Sequence, residues 1–251
     1  MEDKEKTNMN ITLYTFLYNE QEILPYFLKH YSQYVNKIVV YDNNSTDRSI
    51  QILNDWKDCE IEIRDYNTNN QYDEKSIIDL KNNCWKDDTS DYIIVCDVDE
   101  LLYHPNLIEF IEKQPFTDYY TPQGFHMMGE EIPTDYTKQI YDIIKIGSRD
   151  DQYDKNVLFK RKNITETNYS PGCHASRFKG ESNLLNYSGL ELKLLHYKWL
   201  SFEYVYDKHT HYSTRISNDS KSHKYGQHYT MGRDWMKRTY DDLKNKAKQI
   251  I

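Results

Sequence analysis

The sequence predicts an α/β fold: a three-layer α/β/α sandwich around a mostly parallel central sheet. Strand-like and helix-spaced segments alternate over residues 11–96, the run 92–96 is short, apolar and bounded by polar residues, and polar turns follow two of the strands. Regular β-α alternation means parallel strands joined by crossovers, with helices covering both faces.

The elements follow in order. Ile11 to Tyr18 is rich in β-formers and reads as a strand, and Glu20 to Tyr34 carries Ile23, Leu24, Phe27, Leu28 and Tyr31 at helical spacing. Lys37 to Tyr41 is a second strand, closed by the polar turn Asp42-Asn43-Asn44-Ser45-Thr46-Asp47, after which Ile50, Ile52, Leu53 and Trp56 mark a helix. Glu60 to Arg64 is a third strand, Asp73 to Trp85 a third helix and Tyr92 to Cys96 a fourth strand. Beyond a helix at Pro105 to Lys113, strands are expected near Tyr119 to Met127, Val157 to Lys160 and Leu192 to Tyr197. Helices at Ser201 to Ile216 and Asp234 to Ile250 are polar enough to pack on the outside.

Composition narrows the function. The chain has 251 residues, 38% of them hydrophobic, enough for one large core, and a net charge of -8. No basic block or RNA-binding aromatic signature is present, so no nucleic-acid partner is expected. The opening MEDKEKTNMN is polar and no run approaches the roughly 18 apolar residues of a membrane span. A soluble, cytoplasmic protein is predicted, with peripheral membrane association left open. Cys59, Cys84, Cys96 and Cys173 form no C-x-x-C pair and read as reduced thiols rather than a disulfide framework or zinc site. The 24 tyrosines could stack on sugars, though a coding bias explains them better.

The most informative stretch is Asp91 to Tyr103, DYIIVCDVDELLY, where an apolar strand ends in Asp97, Asp99 and Glu100. Ligands of open α/β sheets bind beyond the carboxyl ends of the strands. Two aspartates one residue apart can turn toward one hard cation, Mg²⁺ or Mn²⁺, that also holds phosphate oxygens. The plain alternative is a helix cap or a solvated loop.

Asn19-Glu20, the turn Asp42 to Asp47 and Asp97-Val98-Asp99-Glu100, in this order and spacing, resemble the pattern of GT-A-fold, family 2-like glycosyltransferases. Tyr169-Ser170-Pro171-Gly172-Cys173-His174, Leu194-Leu195-His196-Tyr197-Lys198, Arg215-Ile216-Ser217 and Gly226-Gln227-His228-Tyr229 resemble a bacterial and viral subgroup of it. The resemblance implies a single GT-A domain over 1–251, with a nucleotide-sugar-binding half at 10–104, an acceptor half at 105–217 and a helical tail at 218–251. It implies a UDP-, GDP- or dTDP-linked sugar donor, a glycan or lipid-linked acceptor, and Mn²⁺ or Mg²⁺. Asn43 departs from the second aspartate that many members carry, leaving Asp42 to meet the base.

By that resemblance Asp99 coordinates the metal directly, Asp97 touches the ribose or the metal through water, and His174 or His196 closes the metal site. Thr15, Phe16 and Leu17, with Asn19, Glu20, Asn44 and Val98, are expected around the donor, and Arg64 and Lys75 near its phosphates. Glu20 is equally an ordinary first-turn acid and Asn19 an ordinary cap. His209, His211, His223 and His228 match no zinc spacing and read as solvated surface, except that His228 and Tyr229 could form a lid over the donor. For the inverting reaction that the resemblance implies, a carboxylate is the usual base. Glu131, beside Glu130, is preferred narrowly over Asp151 with Asp150.

Other classes fit less well. A phosphotransferase with a D-x-D nucleophile wants a polar residue where Leu101 stands, and a nucleotidyltransferase wants a Gly-rich basic loop where Leu17-Tyr18-Asn19-Glu20 stands. A carbohydrate-binding or degenerate transferase module would leave the acids idle.

Overall fold

The computed structural model describes residues 9–251; the polar opening stretch 1–8 lies outside them. The predicted alternation is present: β1 Ile11–Leu17, α1 Leu24–Tyr31, β2 Lys37–Asp42, α2 Ser49–Asp55, β3 Glu60–Asp65, α3 Glu74–Asn83 and β4 Tyr92–Val95. There follow β5 Glu100–Tyr103, α4 Leu107–Glu112, β6 Tyr119–Tyr120, β7 Gln123–Met128, α5 Ile140–Ile143, β8 Ile146–Arg149 and β9 Leu158–Lys160. The chain closes with β10 Asn186–Tyr187, β11 Lys193–Trp199, α6 Phe202–Arg215, α7 Asn218–Ser222, α8 Arg233–Lys246 and β12 Lys248–Gln249.

Seven strands form the central sheet in the order β10-β6-β9-β4-β1-β2-β3. β4, β1, β2 and β3 are parallel, β10 is parallel to β6, and β9 runs antiparallel between β4 and β6. The α/β class with a mostly parallel sheet is therefore the one the sequence predicted. Side chains alternate along each inner strand as the pleat requires. Ile11, Leu13, Ile38, Val40 and Ile94 pack into one core with α1 and α2; Tyr14, Val39, Tyr41, Ile93 and Val95 pack into the other with Trp85 and Phe159.

After β3, α3 carries the chain back across the sheet so that β4 lies on the opposite side of β1 from β2. The strand order thus reverses between β1 and β4. At such a switch point the two following turns part and leave a crevice. The turns here are Tyr18 to Glu20 and Cys96 to Asp99.

A second sheet, not anticipated from the sequence, has the order β12-β8-β7-β11-β5. β5 begins at Glu100, one residue beyond the second aspartate, and runs antiparallel to β11 with Glu100 opposite His196. The Tyr197 amide donates to the Asp99 carbonyl at 2.7 Å, locking that register. A run of four residues, ELLY, is too short to distinguish from loop by periodicity. No helix among the described residues is long and apolar enough to cross a membrane.

Candidate active site

The crevice at the switch point has a volume of about 200 Å³ and is continuous with solvent. Its floor is the end of β4. Asp97 accepts from Lys81 Nζ at 2.6 Å, and Lys155 Nζ lies 3.9 Å from its other oxygen. Lys155 is held by Glu100 at 2.5 Å, with side chains only 5% and 2% exposed. Burial alone would raise the Asp97 carboxyl, but the two ammonium groups hold it below its ordinary value. Burial would likewise lower Lys155, and Glu100 and Asp97 carry it upward instead. The first aspartate of the D-x-D is thus neutralised by lysines.

Asp99 has different company. Its Oδ2 faces His196 Nε2 at 3.4 Å. Behind His196, His126 on the neighbouring strand β7 approaches Nδ1 to Nδ1 at 3.2 Å, and His126 Nε2 lies 3.0 Å from Asp150 Oδ2. Burial holds His126 down at about 3, so its ring is neutral. A carboxylate oxygen can only accept, so His126 donates from Nε2 and offers the Nδ1 lone pair. His196 then donates from Nδ1 and turns its Nε2 toward Asp99. In the tautomer that leaves Nε2 unprotonated, two lone-pair donors face each other across 3.4 Å. Such a pair can take a cation between them, and a ligating histidine commonly donates its other ring N–H to a partner in this way.

Tested against a divalent ion, the donor set fits in part. Among the described residues no group of three or more His, Cys, Asp or Glu side chains could enclose a metal. Asp99 and His196 make an open two-residue site, the kind that phosphate oxygens and water complete for Mg²⁺. Asp97 keeps one oxygen on Lys81 and has only its other, Oδ2, to offer. His174 points elsewhere: its Nδ1 donates to the Gln152 carbonyl at 3.0 Å, and its ring folds over Gly172.

On the β1 side, Phe16, Leu17, Tyr18 and Glu20 line the crevice, as does Val98 on the β4 side. Glu20 is buried and both oxygens accept from Lys208 of α6 at 2.7 Å; burial still lifts its carboxyl to about 7. Asn19, at φ 52, staples two turns together by accepting from the Thr46 amide at 2.7 Å. Thr15 stays within the sheet, buried. Asp42 caps its own turn through the Ser45 amide and lies outside the lining; Asn43 reaches the crevice in its place. Asn44 is exposed at φ 58.

Several expected residues are not brought in. Arg64 is occupied by Glu62 and the Tyr41 hydroxyl, and Lys75 is exposed. Lys81, almost two turns further along α3 than Lys75, is the lysine that enters. Glu131 is exposed beyond β7, beside a Glu130 paired with Lys244, and Asp151 is exposed in a short helical turn. Neither lines the crevice. The expected strand places Glu131 correctly in sequence, but the chain leaves the sheet before reaching it.

The largest departure is α6, expected on the outside. One face of it carries Lys208, His209, Tyr212 and Arg215 into the crevice. His209, taken as solvated, is 3% exposed. His228 and Tyr229 line the crevice from the turn Gln227–Thr230. Lys208, Tyr212 and Arg215 at i, i+4 and i+7 form one helical stripe, and that spacing was the available signal.

No protein-family model matches the chain, and no curated protein matches it. Among solved structures, S. aureus TarS is 16% identical over 50% of this chain and 23% of that one, with a TM-score of 0.40. Its fragment 1-349 is 12% identical over 84% of this chain and 66% of that one, at 0.47. Glucosyl-3-phosphoglycerate synthase from Mycobacterium tuberculosis, in complex with Mn²⁺, UDP and phosphoglyceric acid, is 13% identical over 48% and 44%, at 0.32. The chain thus spans less than two thirds of each of these structures. The likenesses are distant, and the chemistry below rests on this chain's own side chains.

Proposed function

We propose that the chain is a metal-dependent glycosyltransferase that moves a sugar from a nucleotide-sugar donor to a glycan or lipid-linked acceptor with inversion. The observation that carries this is the facing pair Asp99 and His196, with His196 Nδ1 held by His126 and Asp150, at the carboxyl end of β4. Asp99 and His196 would hold Mn²⁺ or Mg²⁺, and the ion supplies charge neutralisation for a departing nucleoside diphosphate. The residues 1–251 act as one catalytic unit, with a UDP, GDP or dTDP moiety on the β1–β2 side of the crevice.

The protein's own groups do the rest. Glu20 fixes Lys208, and Lys81 and Lys155 hold Asp97 ionised, so the floor is a rigid lattice of charge rather than a set of free acids. Preorganised charge of this kind needs little rearrangement when the leaving group develops its own. The acceptor hydroxyl must give up a proton. His174, whose Nδ1–H is committed to the Gln152 carbonyl, has Nε2 free to take it, and burial lowers its pKa so that the ring is neutral. Glu131 and Asp151 are the competing bases, each requiring its surface segment to fold inward.

The test is a thermal-shift screen of nucleoside diphosphates with Mn²⁺, Mg²⁺ or chelator, followed by transfer assays with the matching sugar donors. Ligand at about 100 times its Kd should add about 2.7 kcal/mol, or about 5–11 °C for a chain of this length, with metal only. If no nucleoside diphosphate stabilises the protein in the presence of metal, the transferase assignment is wrong. His174→Gln should then suppress turnover while donor binding is kept, and retained turnover moves the base to Glu131 or Asp151.

A further inference from the structure

The cations that line the crevice fall into two sets. Lys81, Lys155 and Lys208 each hold a carboxylate, at 2.6, 2.5 and 2.7 Å. Arg215 and Lys198 hold none within 4 Å among the described residues. Arg215 is 6% exposed; its Nε donates to the Asn70 carbonyl at 2.9 Å and its guanidinium lies 3.1 Å from the centre of the Tyr18 ring. Its two terminal nitrogens, Nη1 and Nη2, are buried with no acceptor. Both ring nitrogens of His209, one turn and a half earlier on α6, are also buried without a partner. Lys198, two residues beyond His196 on β11, lines the same crevice and lies over the Tyr229 ring at 5.4 Å.

A buried guanidinium with two free nitrogens is costly, because its desolvation is not offset by any anion. A fold retains such a group where a ligand brings the anion. The planar fork of arginine suits two oxygens of one phosphate. Five cations line a crevice with four carboxylates, Glu20, Glu74, Asp97 and Asp99, in a chain of net charge -8. The unpaired charge is therefore concentrated here against the sign of the whole protein.

We infer that Arg215, Lys198 and His209 form a phosphate-binding pole that works without metal, on the α6 side of the crevice, and that it takes phosphate oxygens of the donor's diphosphate. This presupposes the nucleotide-donor function proposed above and adds a second grip on the same group. A phosphate carried by the acceptor has the same chemistry, and competition separates the two sources.

The experiment is calorimetric titration of inorganic pyrophosphate into the full chain in excess chelator. Wild type should bind, with affinity falling steeply as salt is raised. Arg215→Gln should weaken that binding at least tenfold and Lys198→Gln severalfold, while Asp99→Asn should retain it. Arg215→Gln should also melt no lower than wild type without ligand, a result that a structural role for the guanidinium would not give. Competition by a nucleoside diphosphate assigns the pole to the donor; additive binding overturns that assignment in favour of an acceptor phosphate. No pyrophosphate binding in chelator, alongside metal-dependent nucleotide binding, overturns the pole and leaves the transferase standing.

Discussion

Lys155→Met isolates what the third acid of the D-V-D-E segment does. Lys155 and Glu100 are 2.5 Å apart with side chains 5% and 2% exposed, so removing the ammonium strands a carboxylate in the interior. Breaking one partner of a buried pair costs about 3–5 kcal/mol. For a chain of this size, at about 2–4 °C per kcal/mol, melting should fall by about 6–20 °C. Urea unfolding with an unchanged slope gives the same free energy directly. Glu100→Gln in the Lys155→Met background should recover most of the loss, because the two substitutions couple. Less than about 1 kcal/mol lost, or no recovery in the double variant, would refute the idea that Glu100 serves as the buried partner of Lys155. Glu100 would then be a free acid, available to the metal or the substrate.

Further tests are independent of that pair. Asp99→Asn should keep the fold and abolish metal-dependent stabilisation by nucleoside diphosphates; unchanged turnover would remove the metal from the mechanism. Gly172→Ala should cost about 1–2 kcal/mol for its left-handed backbone. At φ +67 its new Cβ would lie 2.5 Å from the His174 ring and push it aside. Transfer should therefore fall more than donor binding, and equal losses in both would detach His174 from the acceptor step. His30 is fully buried, its pKa lowered by burial to about 3, and its Nε2 donates to the Leu102 carbonyl at 2.9 Å while Tyr31, Tyr34 and Tyr141 pack around the ring. Its folded pKa lies below the unfolded value near 6.5, so its contribution is complete above that pH and is lost as pH falls toward 3. One proton gives a slope of about 1.4 kcal/mol per pH unit. His30→Gln should flatten the acid side of the stability profile by that amount, and an unchanged slope would show that the ring is already charged in the fold.

Much of the fold was legible because it is local. The period-2 and period-3.6 patterns of the first four strands and three helices depend only on neighbouring residues, and the acids after β4 announce themselves as the end of an apolar run. β5 was hidden because four residues cannot display a period, and its partner β11 lies some ninety residues on. α6 was read as outward because its polar face was taken for a solvated one; Lys208 and Arg215 are polar toward a ligand crevice, which a helical wheel cannot distinguish from water. His126 and Lys155 carried no motif at all.

The sequence alone determined the α/β class and where the acids leave the sheet, since both are properties of contiguous residues. The tertiary structure decided which acid is free. Strand register placed His196 beside Asp99, and the packing of α3 and the segment before β9 placed Lys81 and Lys155 against Asp97. Two aspartates one residue apart are alike until distant side chains choose a partner for each, and that choice is made by distances the linear chain does not contain.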